Sequence, residues 1–202
     1  MKNKSLLLLA AMSLLLISAL AQAAANDVSE KARQTCSVCH GADGNSVSPN
    51  FPRLAGQQTP YLEAQLKAFR NHTRADADAQ DYMWGWAAPL NNTMITALAR
   101  YYATQRPLPG APGDTEATAK GKEIYSNGIA AQGVPACVAC HGKNGEGNQT
   151  IPRLAGQHAS YIIKQIKVFH TELRPAAIAM QGIVKGLGPE DARVVAAYLQ
   201  AK

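Results

Sequence analysis

A six-residue pattern occurs twice in this 202-residue chain, and it limits the fold more than any other feature. Cys36-Ser37-Val38-Cys39-His40-Gly41 returns as Cys137-Val138-Ala139-Cys140-His141-Gly142, and Pro52-Arg53-Leu54-Ala55-Gly56-Gln57 returns unchanged as Pro152-Arg153-Leu154-Ala155-Gly156-Gln157. Downstream, Tyr61, Gln65, Lys67 and Phe69 return as Tyr161, Gln165, Lys167 and Phe169, and Tyr101 returns as Tyr198. The offset drifts only from 101 through 100 to 97, so insertions are confined to loops. Two tandem copies of one domain account for this. Between them, 106–113 holds three prolines and two glycines, a composition that cannot continue a helix and suits an exposed linker. The expected boundaries are 26–106 for the first domain, 107–116 for the linker and 117–202 for the second domain.

Ahead of the first copy, a basic start with Lys2 and Lys4 leads into an uncharged run from Leu6 to Leu20, then into small residues offering A-x-A cleavage choices up to Ala25. Basic, apolar, small is the order of a secretory signal peptide, and fifteen apolar residues fall short of the roughly 20 that span a bilayer. Residues 1–25 are therefore expected to be a signal peptide, and the mature protein an exported one. Without Lys2 and Lys4 the chain keeps 18 basic and 14 acidic residues, a charge of +4, of which residues 26–106 hold +1 and residues 107–202 hold +3. Neither copy carries a basic run interleaved with aromatics, so nucleic acid is not an expected partner.

Each copy reads as helical. Tyr61, Leu62, Leu66 and Phe69 fall at helical spacing, as do Tyr161, Ile162, Ile166 and Phe169. Closing helices are expected to start at Asn91 or Asn92 and at Gly188-Pro189, and Ala117–Tyr125 reads as another. No alternation marks a strand. With aromatics at only 6% and domains this small, an apolar core alone would be marginal, so something else should fill the middle.

The repeated C-x-x-C-H supplies it. This is the attachment sequence of c-type haem: two thiols on one helical turn reach two vinyl groups, and the next residue, His, lies under the iron. A thioredoxin-like pair would want a βαβ setting, and zinc would want the two Cys pairs together rather than 101 residues apart. Two covalent haems are thus expected, on Cys36, Cys39 and His40 and on Cys137, Cys140 and His141. Beyond the leader only Met83, Met94 and Met180 remain. Met83 and Met180 share one register, each seven residues before a Leu and eighteen before the helical Tyr, so they are the expected second iron ligands; Met94 has no counterpart and should pack a helix. His72, His158 and His170 do not repeat and are expected at the surface or in loops. Trp84-Gly85-Trp86 against Gln181-Gly182-Ile183 marks a more aromatic first site and two unequal potentials.

Across the whole mature chain the sequence resembles the di-haem cytochromes c4, two class I cytochrome c domains in tandem. The resemblance implies an all-α fold wrapped around each haem, with the Pro52 and Pro152 carbonyls accepting from His Nδ1 and Leu54 and Leu154 packing on the haem. It implies a periplasmic single-electron carrier between respiratory partners, such as a quinol–cytochrome c reductase and a terminal oxidase, and is compatible with peripheral membrane association. The alternatives are the cytochrome subunit of a flavoprotein sulfide dehydrogenase, or a di-haem enzyme such as a thiosulfate dehydrogenase or peroxidase. Arg53 and Arg153 are candidate partners for haem propionates, and Tyr61 and Tyr161 are expected in the core with their hydroxyls on polar partners.

Overall fold

The computed structural model describes residues 27–202; the expected signal peptide lies outside them. Among the described residues the chain is helical, with only two isolated bridges, Ile129 to Val134 and Asn148 to Ile151. The first copy opens with a helical stretch from residue 27 that passes through a π turn at Ala32–Cys36 into Ser37–His40. It continues with Thr59–Arg70, a π turn at Ala79–Met83 leading into Trp84–Ala87, and Asn92–Thr104. The second repeats this order with Thr115–Asn127, Val138–His141, Ala159–Phe169, Ile178–Val184 and Pro189–Gln200.

The expected caps explain where these helices begin. Asn91 accepts from the Met94 amide, and Pro189 occupies the first turn after Gly188. Asp114 accepts from the Ala117 amide, so that helix begins at Thr115, inside the segment read as linker. The motif helices end at Gly41 and Gly142, whose φ angles of 80° and 82° only glycine adopts easily; this is why a glycine follows each His.

In the second copy, Pro189–Gln200 packs on both Thr115–Asn127 and Ala159–Phe169. Gly121 permits the close crossing, because a Cβ there would lie 1.9 Å from the Val194 carbonyl oxygen. The first copy packs Thr59–Arg70 on Asn92–Thr104. Its buried side chains form two separate clusters, one around Ile95 and Leu98, the other around Phe69 with Met83 and Trp84. No helix among the described residues is long and apolar enough to cross a membrane.

The copies meet across a pseudo-two-fold face built from the repeated segment itself. Gln57 accepts from the Arg153 amide at 2.7 Å and donates to the Arg153 carbonyl at 2.9 Å. Gln157 does the same with Arg53, at 2.9 Å each way. Gln58 donates to the Glu146 carbonyl, and His158, its counterpart, donates to that of Ser46. The Pro-rich segment is largely exposed, as expected, yet pinned: Asn45 bonds the Arg106 carbonyl and the Leu108 amide, and Arg53 donates to the carbonyls of Pro109 and Gly156.

Candidate haem sites and the interface between them

His40 and His141 are buried, at 8% and 7% exposure. Their Nδ1 atoms lie 2.9 Å from the Pro52 carbonyl oxygen and 3.0 Å from that of Pro152. A carbonyl only accepts, so Nδ1 carries the proton and Nε2 keeps its lone pair. Burial holds both imidazoles below their ordinary pKa, against the opposing pull of the proline carbonyls, and so keeps them neutral. Neutral rings with a fixed tautomer and a free Nε2 are what an iron requires. Burial also pushes the Cys36 and Cys137 thiols up, the reverse of a redox-active thiolate. Among the described residues no three His, Cys, Asp or Glu side chains gather as a zinc site would require.

A cavity of about 260 Å³ runs through both copies. Cys36, Cys39, His40 and Met83 line it on the first side, Cys137, His141 and Met180 on the second, with Leu54 and Leu154 on its wall. Cys140 is exposed and lies outside that wall. Met94 instead packs in the Ile95–Leu98 cluster.

The register of Met83 against Met180 has a structural counterpart. Trp84 Nε1 donates to the Arg74 carbonyl at 2.9 Å, and Gln181 Nε2, one residue after Met180, reaches the Arg174 carbonyl at 3.4 Å and that of Thr171 at 3.1 Å. The Trp-to-Gln change thus keeps a donor aimed at the same kind of acceptor. On the first side the aromatic character is real: Tyr82 and Trp86 are 49% and 58% exposed, and Trp84 stacks on His72 at 4.0 Å.

Between the two sides lies a polar cluster that the sequence reading missed. Arg74 and Arg174 are buried, each with its guanidinium 4.7 Å above a phenylalanine of its own copy, Phe69 or Phe169. Gln65 Oε1 accepts from both arginines, at 2.9 Å each, and Gln165 Oε1 from both, at 2.9 and 2.6 Å. Tyr161 faces Arg74 at 3.5 Å and Tyr61 faces Arg174 at 3.4 Å, so each half-buried tyrosine finds its polar partner in the other copy. The signal was present, since Arg74 and Arg174 share the offset of 100 that relates the P-R-L-A-G-Q segments.

This cluster tests whether haem fits. Asp76 pairs with Arg74 at 2.8 Å, while Arg174 makes no ion pair among the described residues. One positive charge is left over inside the molecule, and the buried Gln165 Nε2 donates to nothing. An apolar cavity with an uncompensated guanidinium and a spare donor suits a flat apolar group bearing carboxylates, which is what haem is. Arg53 also lines the cavity and donates through Nε and Nη1 to the carbonyls of Ser46, Pro109 and Gly156, so it helps to join the copies; Arg153 lines the cavity too, and its buried Nε has no partner.

His158 lies in a loop, just before Ala159–Phe169, but is not at the surface: it is 8% exposed, with Nε2 2.9 Å from the Ser46 carbonyl oxygen. Burial lowers its pKa; the Ser46 bond opposes this and the Arg53 charge adds to it. The folded protein therefore binds that proton less readily than the unfolded chain, whose value is 6.5. Its contribution to stability is complete above that value and is lost as pH falls from there through the lower folded value. Thermal unfolding followed between about pH 7 and pH 5 should show a smaller acid-induced drop in midpoint for His158→Gln, which copies Gln58, than for the unsubstituted protein. Identical slopes would show that His158 does not couple the interface to protons.

The comparisons agree with this geometry. A family model described as Cytochrome c matches residues 25–104 and 118–201. A cytochrome c-552 of Acidithiobacillus ferridurans is 42% identical over 94% of this chain and 84% of its own length. A thiosulfate dehydrogenase electron acceptor of Stutzerimonas stutzeri is 32% identical over 94% of this chain and 92% of its own. The solved structure of Acidithiobacillus ferrooxidans cytochrome c4 superimposes with a TM-score of 0.77 at 42% identity, covering 83% of this chain and 98% of that one.

Proposed function

Since the chain belongs to the cytochrome c family, among its di-haem cytochromes c4 with two covalent c-type haems, we propose that it carries single electrons between periplasmic respiratory partners with both irons closed by protein ligands. Bound, each haem supplies an iron that takes up one electron and gives it back. His40 and Met83 would hold the first iron, and His141 and Met180 the second. Cys36 and Cys39, and Cys137 and Cys140, would carry the thioether links. The observation that carries this reading is the duplicated pairing of a buried neutral imidazole, fixed by a proline carbonyl, with a methionine on the wall of the same cavity.

The chain's own residues do the rest. The Pro52 and Pro152 carbonyls keep the imidazoles oriented through any change of charge at their Nε2 atoms. Met83 and Met180 supply soft thioether sulfur, which favours the ferrous state and raises the potential. With His40 and Met83 holding one iron and His141 and Met180 the other, neither iron would be left open to oxygen or peroxide. Arg74 and Arg174, held by Gln65 and Gln165, would offer positive charge to haem carboxylates, and Gln165 Nε2 a free donor.

The periplasmic assignment rests on the leader at 1–25 and on the chemistry of c-type attachment. The expected donor is a quinol–cytochrome c reductase and the expected acceptor a terminal oxidase. A second donor, a thiosulfate dehydrogenase, is favoured by the relative from Stutzerimonas stutzeri. Rapid mixing tests the role. The ferric protein should be reduced by a quinol–cytochrome c reductase and reoxidised by a terminal oxidase, and by itself should turn over neither thiosulfate nor peroxide. Catalytic turnover of either substrate by the isolated protein would overturn the carrier reading.

A further inference from the structure

The polar cluster between the copies obeys the pseudo-two-fold in every member but one. Arg74 and Arg174, Gln65 and Gln165, Tyr61 and Tyr161, and Phe69 and Phe169 all correspond. Asp76 does not, because the residue two positions after Arg174 is Ala176. Asp76 is 2% exposed; its Oδ2 lies 2.8 Å from Arg74 Nε and its Oδ1 accepts no hydrogen bond. The other charged pair reaching across this region, Lys164 with Asp78 at 2.7 Å, is half-exposed and neutral as a unit. A lone buried carboxylate therefore distinguishes the electrostatics of the two sides.

We propose that Asp76 is the residue that sets the two haem potentials apart, holding the first-domain haem below the second. A ferric haem carries one more positive charge than a ferrous one, so a nearby carboxylate favours the ferric state and lowers the potential, while an unpaired guanidinium raises it. Arg74 stacks on Phe69, which packs with Met83, so the Asp76 carboxylate acts on the first side. Arg174 stacks on Phe169 and has no protein carboxylate against it among the described residues, so the second side lacks the negative charge that Asp76 brings to the first. Burial matters here, because a charge in low dielectric acts over distances at which a surface charge is screened. An electron shared between the haems accordingly rests on the second domain, and Asp76 is a positioning residue for that electron.

The inference rests on two haems being ligated as proposed above, and its test separates the two. Each holoprotein is titrated spectroelectrochemically as unsubstituted protein, as Asp76→Asn and as Ala176→Asp. The first-domain haem is identified as the one whose potential Met83→His displaces. Asp76→Asn should raise the first-domain potential and lower the constant for electron sharing between the haems by about tenfold, or about 59 mV for one electron. Ala176→Asp should narrow the gap from the other side by lowering the second potential, and it keeps the Arg74 pair intact should Asp76→Asn load haem poorly. A gap unchanged in both variants, with both haems spectroscopically intact, would overturn the role of Asp76. Absence of sulfur-to-iron absorption in the unsubstituted ferric protein would overturn the ligand assignment, and this inference with it.

Discussion

Met83→His should lower the potential of one haem by on the order of 0.2 V, a part of the roughly 0.8 V that axial ligands span, and leave the other nearly where it was. The direction follows from ligand chemistry. Thioether sulfur is soft and favours ferrous iron, whereas imidazole nitrogen is the better donor to ferric iron. The separation follows from the fold. Met83 packs with Phe69, Ala79 and Ala87 of the first copy, and Met180 packs in the core of the second. Met180→His should displace the other potential instead. Redox titration of both variants checks this, and equal movement of both potentials in either variant would contradict independent ligation.

Replacing both Cys137 and Cys140 by Ser should reduce covalent haem from two per chain to one and strongly destabilise the second domain. Its buried residues, among them Ile124 and Tyr125, form one cluster that reaches the cavity wall at Ile166, Val184 and Leu199. Removing a porphyrin from such a cavity exposes apolar surface on every side, at a cost of about 25 cal/mol for each Å². Because Gln57 and Gln157 bond the copies reciprocally, the first domain should lose part of its support as well. Intact mass counts the haems, and calorimetry reads the loss as an early transition separate from the main one. A single unshifted transition would show that the second domain folds without its haem.

The repeat and the helices were legible because a fixed spacing survives in sequence, and the iron ligands proposed above were read from that same spacing. Gly41 and Gly142 carry the same legibility, since the turn after each His needs a positive φ. The interface was harder to read because its logic is geometric rather than a matter of residue identity. His158 was expected at the surface or in a loop since Gln58 stands in its place in the first copy, and from its loop it presents, like Gln58, an N–H to a carbonyl across the same face. Trp84 and Gln181 read as a divergence, yet each donates toward the carbonyl of its own buried arginine. Arg53 and Arg153 stand in an unchanged segment, yet only Arg53 spends side-chain bonds on joining the copies, while the buried Arg153 Nε has no partner. Buried charge is equally hidden from composition: Asp76 is one of fourteen acidic residues until the fold places it beside Arg74.

Sulfur-to-iron charge-transfer absorption of the ferric holoprotein, quantified per polypeptide, tests the central claim most directly. Two thioether-ligated irons per chain should appear, with the band diminished by one iron's share in Met83→His and again in Met180→His. A native protein showing one such iron, or none, would leave a coordination site open to substrate and contradict a carrier closed on both sides.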